Sequence, residues 1–485
     1  SEQLSKVLAT NGYNVTLLNI YKNGKQPNLH FLKMDNVEET LMMDDPIDHL
    51  TMHSMSPLEL LASFSDLELM VCKHAIVSSQ FSHLIDYPES FQFNLIIHDH
   101  MAGPCLLVLL DRFQFPPLVM ASASNILACV ESTLGSPSYF GIIPSYLYDQ
   151  PTSFGYFESM YNFVITVVEL LFKKYYTNPQ IDRFILSHFL HLSSVSQLES
   201  RAIVVLMNSI PFLEPPKPQI WRVINIGGLH ISTPNPQRAL AYLRQNRTYD
   251  KCVYVSFGSN IQIYNIDNGI SQSIITAARS LPFVKFLWKV EIHHSTFANL
   301  IPENIIISEW FPQNDLLGSG KVDIFVTHGG LLSVQEGAWY GIPMLGIPNY
   351  ADQYQNVRSI ERLGIGKKLL LEHLTPQTLK HHLKDMLYDE RYKRHAGTVS
   401  QVIRDEQITP QQRALWDIEW VLRNHHKTQN MLVDLNDIGY MSKYSIYVIS
   451  TIVLMSILLG FTLYRLTIVC ISSMLSHFKK KNKKE

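Results

Sequence analysis

Short apolar runs alternate with helix-type segments along residues 251–347, and this alternation limits the folds open to the chain. The runs "CVYVSFGS", "FVKFLWKV", "NIIISEWFP", "VDIFVTHGG" and "IPMLGIP" have the composition of buried strands. Strands separated by helices build a parallel sheet with helices on both faces. Continuous apolar runs suit such strands because both of their faces are covered. The second half of the chain is therefore predicted to be a doubly wound α/β domain.

A second set of buried-strand runs lies in the first half of the chain. The segment from Asn14 to Ile20 follows an Asn-Gly turn, and the runs "FNLIIHDH", "PPLVMASAS" and "AIVVLMNS" come later. Residues 136–200 are aromatic and irregular, which predicts helices and loops of an apolar binding wall. The predicted fold class is thus α/β, with two doubly wound, Rossmann-like domains.

Shifts in composition mark the predicted domain boundaries. Residues 212–237 hold five prolines and a Gly-Gly pair, as in a stiff linker. We assign residues 1–225 to an N-terminal domain, 226–237 to the linker and 238–430 to a C-terminal domain. The chain opens on helix-type sequence, whereas a Rossmann-like unit normally opens on a strand. We therefore expect the natural start to be missing, namely a signal peptide, a first strand and the turn after it.

The segment 444–475 is apolar apart from Arg465. Its first part, "YSIYVISTIVLMSILLGFTL", carries no charge and has about the length of a membrane-spanning helix, roughly 20 residues. Lysines dominate residues 476–485, and a lysine cluster beside a span marks its cytosolic side. We expect one transmembrane helix, domains in the lumen of the endoplasmic reticulum and a basic cytosolic tail.

The bulk composition excludes several classes of protein. The chain has 485 residues and a net charge of −2, without the concentrated basic face of a nucleic-acid binder. Its five cysteines are scattered singly, which argues against a zinc or thioredoxin-type site. In an oxidising lumen some of the first four could form a disulfide, and otherwise they are expected to be buried as small apolar side chains.

The turn after the strand "VDIFVT" has the chemistry of an anion site. His328, Gly329 and Gly330 lie at the carboxyl end of a predicted parallel strand, where ligands bind in open α/β sheets. Glycines let backbone N–H groups approach a ligand, and the N-terminus of the next helix favours a phosphate. Ser333 adds a hydroxyl, and Glu336, one turn later on the same face, suits a sugar diol. The turn therefore predicts a site for the phosphates and ribose of a nucleotide.

Other strand ends carry side chains that suit the rest of such a ligand. Ser259 follows the run "VYVSFG", while Trp310 and Gln313 offer an aromatic ring and an amide to a base after "NIIIS". Asp352 and Gln353 follow "GIP" at a further strand end. Carboxyl ends of parallel strands meet at one edge of a sheet, so we expect these side chains to share a site. Each of them alone is also explained by packing or helix capping.

Residues 308–357 as a block, from "SEWFPQNDLL" to "NYADQYQNV", closely resemble the signature of UDP-glycosyltransferases. The likeness extends to "GGLH" at 227–230, "FGS" at 257–259, "LWK" at 287–289 and the helix "RALWDIEWVLRN", and it covers nearly the whole chain. It is most similar to the membrane-bound animal enzymes, and "HDHMAGPCLL" is insect-like. The resemblance implies a GT-B fold, in which two Rossmann-like domains face a cleft. One motif departs from the family, since Ser319 in "LLGSGK" stands where relatives often have histidine.

The resemblance also implies which residues hold the donor. Trp310 would stack on uracil, Gln313 would lie near uracil and ribose, and Glu336 would bind the ribose hydroxyls. The diphosphate would be held by a set of turn residues: Ser259, His328, Ser333 and the backbone at Gly330. Asp352 and Gln353 would bind the hydroxyls of the sugar. The C-terminal domain would thus bind UDP-sugar, and the N-terminal domain would bind the acceptor.

An inverting, metal-independent reaction is implied in the same way. A histidine takes the proton from the acceptor hydroxyl, and an aspartate orients that histidine. Asp99 in "LIIHDHMAGPC" matches the family aspartate, whereas the family histidine falls upstream of residue 1. His98 and His100 do not match the base position and are expected to pack or hydrogen-bond locally. The sequence has no Asp-x-Asp motif of the manganese-using glycosyltransferases, so we expect no metal and no cofactor besides UDP-sugar as co-substrate.

The function predicted from the sequence is transfer of a hexose, glucose, from UDP-sugar to a small lipophilic acceptor, as in detoxification or hormone and pigment conjugation. Glucuronic acid is the alternative sugar. The expected partners are the donor, the acceptor and membrane lipid, with a homo-oligomer possible and nucleic acid excluded. A non-catalytic binding relative is the alternative if the chain truly starts at Ser1. A nicotinamide dehydrogenase is disfavoured, because no G-x-G-x-x-G follows a strand.

Overall fold

The structure is a computed structural model. It describes residues 2–20, 26–35, 52, 55–124, 128–136, 143–149, 155–189, 193–215, 218–243, 249–258, 268–290, 301–428 and 446–481. The chain forms two compact units, Ser1–Met431 and Leu432–Glu485. The first unit contains all of the β-sheets described here, and the second contains the apolar C-terminal helix.

The first half of the larger unit holds two parallel sheets. Its strands are β1 (Val15–Asn19), β2 (Leu29–Lys33), β3 (Ile96–Asp99), β4 (Leu118–Ser122), β5 (Ala202–Met207) and β6 (Val223–Asn225). Strands β1 and β2 pair with each other, and β3, β4, β5 and β6 form a four-stranded sheet in that order. Every residue of β4 is buried, as expected for an uninterrupted apolar run with both faces covered. The strand predicted at Asn14 to Ile20 is confirmed as β1.

Helices surround these strands. They are α1 (Glu2–Thr10), α2 (Pro57–Ile76), α3 (Ser79–Ile85), α4 (Val108–Arg112), α5 (Ala128–Thr133), α6 (Tyr156–Phe172), α7 (Asn178–His188) and α8 (Val195–Ser200). Local sequence explains the start of α2, because Ser56 and Glu59 form a reciprocal capping box with Pro57 in the first turn. Residues 136–200, predicted as helices and loops, contain α6, α7 and α8 in their described part.

One disulfide links α2 to the segment that follows β3. Cys72 is bonded to Cys105, 33 residues later, and both side chains are fully buried. Gly103 lies at this junction with a φ of +88°, and a Cβ there would approach the Cys72 sulfur to 3.3 Å. Cys129 and Cys252 are buried free thiols. Of the two fates predicted for the cysteines, the structure thus shows both.

The second half is one six-stranded parallel sheet. Its strands are β7 (Lys251–Ser256), β8 (Val284–Lys289), β9 (Ile305–Ser308), β10 (Ile324–Thr327), β11 (Met344–Gly346) and β12 (Gly366–Lys368). Their order is β12-β11-β10-β7-β8-β9, so the chain reverses its direction of growth between β7 and β10. Such a switch point leaves a crevice at the carboxyl ends of the two strands, which is where ligands bind in this class of sheet.

Helices cover both faces of this sheet. They are α9 (Pro236–Leu243), α10 (Asn268–Arg279), α11 (Gln313–Gly318), α12 (Leu331–Trp339), α13 (Asp352–Arg362), α14 (Pro376–Tyr388) and α15 (Glu390–Arg404). Side chains of β7 alternate between the two faces: Val253 and Val255 pack with the core under α10 and α14, while Tyr254 packs with the core under α12. The predicted doubly wound domain is confirmed.

The last helix of the larger unit, α16 (Pro410–Thr428), packs against the first half of the chain. Its buried residues Ala414, Ile418 and Val421 share a core with α1 and with strands β4 and β5. The Tyr13 hydroxyl donates a hydrogen bond to Glu419 across this contact (3.1 Å). The chain therefore passes between the halves once at the linker and again before α16.

The second unit contains α17 (Ile446–Lys481). Its stretch Ile449–Ser472 is 24 residues long, fully exposed, and apolar enough to cross a membrane. This helix agrees with the predicted transmembrane segment. The helix continues into the segment 476–485 as far as Lys481, as the high helix propensity of lysine allows.

Candidate functional site

The site is built around His328, at the carboxyl end of β10. Its imidazole lies between two glycines: a Cβ on Gly258 would come within 2.7 Å of the ring, and one on Gly330 within 2.4 Å. Residues with side chains cannot occupy either position without displacing the ring. Gly258 follows β7, so this arrangement joins the two strand ends at the switch point.

The imidazole of His328 is electrically neutral in this setting. Burial, and to a smaller extent the nearby charge of Lys289, lowers the pKa of His328 to about 4, while the backbone of Ser256 opposes the shift. The Nδ1 atom is buried and has no hydrogen-bond partner among the described residues. A buried nitrogen of this kind is normally hydrogen-bonded, and one without a partner is more typical of a functional site than of a packed core.

Gly329 is required by close packing against α13. Its φ is +86°, and a Cβ would approach Val357 to 2.4 Å. Its N–H donates to the Thr327 hydroxyl (3.2 Å), so this amide is not offered to a ligand. Asn356 secures the turn by donating to the Gly329 carbonyl (3.0 Å). Gly330 is the N-cap of α12, the residue directly before the helix. Its backbone therefore lies at the N-terminus of that helix.

Gln313, Ser333 and Glu336 meet in one hydrogen-bonded group. The Gln313 amide nitrogen donates to the Ser333 hydroxyl (3.1 Å) and to Glu336 Oε2 (3.0 Å). Its amide oxygen accepts from the hydroxyl of the buried Tyr254 (3.2 Å). This last contact fixes which way the amide points. The structure thus brings three predicted donor-site residues together from α11 and α12.

Glu336 is a buried carboxyl without a full countercharge. Burial raises its pKa to about 7, and the bond from Gln313 opposes that shift only in part. Its second oxygen, Oε1, lies 3.6 Å from His230 Nε2. A carboxylate with one oxygen so lightly bonded can accept hydrogen bonds from a pair of vicinal hydroxyls.

Trp310 exposes 65% of its surface at the start of the loop before α11. The Lys289 ammonium lies 4.9 Å from the centre of its indole ring and also donates to the Gly258 carbonyl (2.8 Å). The cation holds the indole beside the end of β7. An exposed aromatic ring at this position is suited to stack on a planar base.

Asp352 and Gln353 open α13 beside the same turn. Burial raises the pKa of Asp352 to about 6, and Asn356 donates to its carboxyl (2.9 Å). The Gln353 amide oxygen accepts from the backbone N–H groups of Asn349 and Tyr350. Since Asn356 bonds both Asp352 and Gly329, it ties the start of α13 to the His328 turn.

Asp99 stands apart from this group. Asp99 is the last residue of β3, in the four-stranded sheet of the first half. Ser259 lies outside the described residues, directly after Gly258. The neighbours of Asp99 are both buried, and burial lowers the pKa of His98 to about 4. His100 faces the Cys129 sulfur at 3.8 Å, in a local packing position.

Contacts between the two halves surround the site. Asp149 accepts from Arg358 of α13 (2.6 Å) and also pairs with Lys368. Gln335, fully buried on α12, donates to the Asn208 carbonyl of the first half (3.0 Å) and accepts from the Gly228 N–H of the linker (3.2 Å). Sequence reasoning gave these residues no role. The signal for Gln335 was available, since it is an amide inside the apolar helix "LLSVQEGAW".

Comparison with known proteins agrees with this geometry. The family model described as "UDP-glucoronosyl and UDP-glucosyl transferase" matches residues 7–484. An ecdysteroid UDP-glucosyltransferase of Lacanobia oleracea granulosis virus is 31% identical over 230 residues, which are 47% of this chain and 49% of that protein. The UDP-glycosyltransferase UGT4 of Dactylopius coccus is 28% identical over 412 residues, 82% of this chain and 76% of that protein. Among solved structures, the glycotransferase of kitacinnamycin matches with a TM-score of 0.55 at 16% identity, covering 86% of this chain and 94% of its own.

Two halves with parallel α/β sheets, and a turn suited to a nucleotide at the switch point of the second, have the GT-B fold of the solved glycosyltransferases. The predicted fold class is thereby confirmed. The chain belongs to the UDP-glucuronosyl and UDP-glucosyl transferase family, because the family model covers nearly all of it. It is an enzyme of that family, as its sequence predicted.

Proposed function

We propose that this protein transfers glucose from UDP-glucose to a hydroxyl group of a small lipophilic acceptor, with inversion at the anomeric carbon. The observation that carries the proposal is the bonded group of Gln313, Ser333 and Glu336 beside the exposed ring of Trp310. A base, a vicinal diol and a phosphate need an aromatic face, a carboxylate and a helix start, and these three features adjoin one another here.

In this proposal each part of the nucleotide has a named holder. Uracil stacks on Trp310, and Glu336 accepts hydrogen bonds from the ribose hydroxyls. The diphosphate lies at the N-terminus of α12, where the first backbone N–H groups have no acceptor within the helix. His328 and Ser333 flank it, and Ser259 is expected beside Gly258. No metal takes part, since the helix start and the imidazole stabilise the leaving diphosphate.

The reacting sugar lies between the halves. Asp352 and Gln353 bind its hydroxyls from the second half, and Asp99 belongs to the acceptor side, where it orients the general base. The base takes the proton of the acceptor hydroxyl, whose oxygen attacks the anomeric carbon while the bond to UDP breaks. We accordingly assign residues 1–225 to acceptor binding, 226–237 to the linker and 238–430 to donor binding.

Glucose is favoured over glucuronic acid by the named activity of the viral relative, which is a UDP-glucosyltransferase. Lipophilic acceptors are favoured by the apolar C-terminal helix, because a membrane concentrates such molecules near an anchored enzyme. Detoxification or conjugation of a hormone or pigment fits these properties.

We further propose that the enzyme is anchored in the endoplasmic reticulum membrane, with its two domains in the lumen. The lysine-rich end of the chain favours a cytosolic tail. The disulfide between Cys72 and Cys105 favours an oxidising compartment for the rest.

The proposal is tested with full-length protein in microsomes. UDP-glucose and UDP-glucuronate are each supplied with a panel of phenols and steroids, and glycoside formation is measured. We expect product with UDP-glucose for at least one acceptor, and we expect UDP-glucose to raise the melting temperature of the purified protein. Failure of every UDP-sugar to raise the melting temperature would contradict the donor site.

Glu336 gives the donor site a predicted pH dependence. The ionised carboxylate accepts hydrogen bonds from a diol more strongly than the neutral acid does, and burial raises the pKa of Glu336 to about 7. UDP-glucose affinity should therefore be full above about pH 7 and fall roughly tenfold for each pH unit below it. UDP-glucose is the right probe because its phosphates do not titrate in this range.

Replacing Glu336 separates this effect from others. Glu336→Ala should weaken UDP-glucose binding by roughly 1–3 kcal/mol, for loss of the buried acceptor. Glu336→Gln should bind UDP-glucose weakly at every pH. It should also lose the acid limb, which is the fall in UDP-glucose affinity below about pH 7. Calorimetry across the pH range measures both. An unchanged acid limb in the Gln variant would assign the titration to another group, with Asp352 as the first candidate.

A further inference from the structure

His230 lies in the linker between the two halves, after β6. Its main chain is held on both sides by one side chain, since Gln411 of α16 donates to the Leu229 carbonyl (3.0 Å) and to the Ile231 carbonyl (3.3 Å). These two hydrogen bonds fix the backbone of the linker on either side of His230.

The His230 imidazole reaches the donor site from this position. Its Nε2 lies 3.2 Å from the Leu332 carbonyl oxygen and 3.6 Å from Glu336 Oε1. A carbonyl oxygen can only accept, so Nε2 carries the proton. That N–H donates to the backbone of α12, and the carboxyl oxygen that Gln313 leaves unbonded lies 3.6 Å from the same nitrogen, beyond hydrogen-bond distance but near the N–H dipole.

We propose that His230 is a positioning residue for donor binding, which holds the Glu336 carboxylate by its second oxygen while Gln313 holds the first. The inference rests on the proposed role of Glu336 in binding ribose. With both oxygens directed, the carboxylate is oriented before the nucleotide arrives, which lowers the entropic cost of binding. The donor site is then completed by the linker, not by the second half alone.

His230 acts as a neutral donor. Burial lowers its pKa to about 4, so the ring carries one proton throughout the working pH range. The groups facing it are the Leu332 carbonyl and the Glu336 carboxyl, and Gln313 and Ser333 face that carboxyl from α11 and α12. Because the N–H dipole of His230 lies near Glu336 Oε1 and favours the ionised form, removing it should raise the pKa of that carboxyl.

The test compares His230→Leu, which removes the donor, with His230→Gln, whose amide nitrogen can take the place of Nε2. Full-length enzyme is assayed with UDP-glucose across pH. We expect His230→Leu to raise KM for UDP-glucose about three- to tenfold with kcat within about twofold, and to move the acid limb to higher pH. His230→Gln should restore both values. If the Leu variant does not fold, His230→Asn, whose amide is too short to reach Glu336, replaces it.

A double-mutant cycle makes the test specific. In a Glu336→Gln background, His230→Leu should change KM by less than about twofold, because its target is gone. His373→Leu, at an exposed histidine of the second half, is the control and should have no effect. An unmoved acid limb in His230→Leu, or a Gln variant as impaired as the Leu variant, would overturn the inference. If the unaltered enzyme does not bind UDP-glucose, the proposed function fails instead.

Discussion

Asp99→Ala should nearly abolish sugar transfer while leaving UDP affinity within about twofold. The carboxylate lies at the end of β3 in the first half, whereas the groups proposed to hold UDP belong to the second half. Loss of a carboxylate that orients the base lowers kcat by roughly 10³–10⁴-fold in comparable enzymes. Nothing about the nucleotide contacts changes, so donor binding should persist.

Turnover with a phenolic acceptor and calorimetry with UDP measure these two quantities separately. Asp66→Asn, on an exposed position of α2 in the same half, is the matched control and should keep full activity. Residual transfer above about a tenth of the original would show that Asp99 is not the aspartate of the reaction. A parallel loss of UDP affinity would show that the substitution disturbs the whole cleft.

Removing the disulfide should produce the largest loss of stability. The bond between Cys72 and Cys105 closes a loop over a separation of 33 residues. Loop-closure entropy gives about 3–4 kcal/mol for a loop of this size. Cys72→Ala with Cys105→Ala should therefore lower the denaturation midpoint strongly, and dithiothreitol should destabilise the unaltered protein but not the double variant.

Cys252→Ala provides the comparison for a buried cysteine that has no disulfide. It should cost only about 1 kcal/mol, the value for a small packing defect. Chemical denaturation followed by fluorescence gives all of these midpoints. Equal stability of the double variant and of the reduced and oxidised protein would show that the bond does not stabilise the fold, and would contradict this prediction.

Sequence alone predicted the second half well because its signals are local. Five strands of the six-stranded sheet coincide with apolar runs, whereas the edge strand β12 (Gly366–Lys368) has no apolar run and was not predicted. The first half was less predictable. Its described strands divide into a pair and a group of four, and pairing between distant segments leaves no local pattern in a single sequence.

The candidate site shows the same limit. Gln313, Ser333 and Glu336 could be placed together because they follow strands whose carboxyl ends meet at the same edge of the sheet. The residues that contact these side chains could not be predicted, because Tyr254 and His230 are distant from them in sequence. Lys289 belongs to the motif "LWK", but its contact with the ring of Trp310 is visible only in the structure. Spatial convergence of this kind is fixed by tertiary packing, which spacing does not encode.

The return of α16 to the first half has a mechanical consequence. A pair of bodies joined by one strand of chain can twist, tilt and slide, whereas bodies joined at two points can rotate only about the line through them. We therefore expect the two halves to move relative to each other by a hinge rotation about one axis. Such a motion would bring Asp99 towards the nucleotide along a single arc, so that the distance between acceptor and sugar is set by one angle.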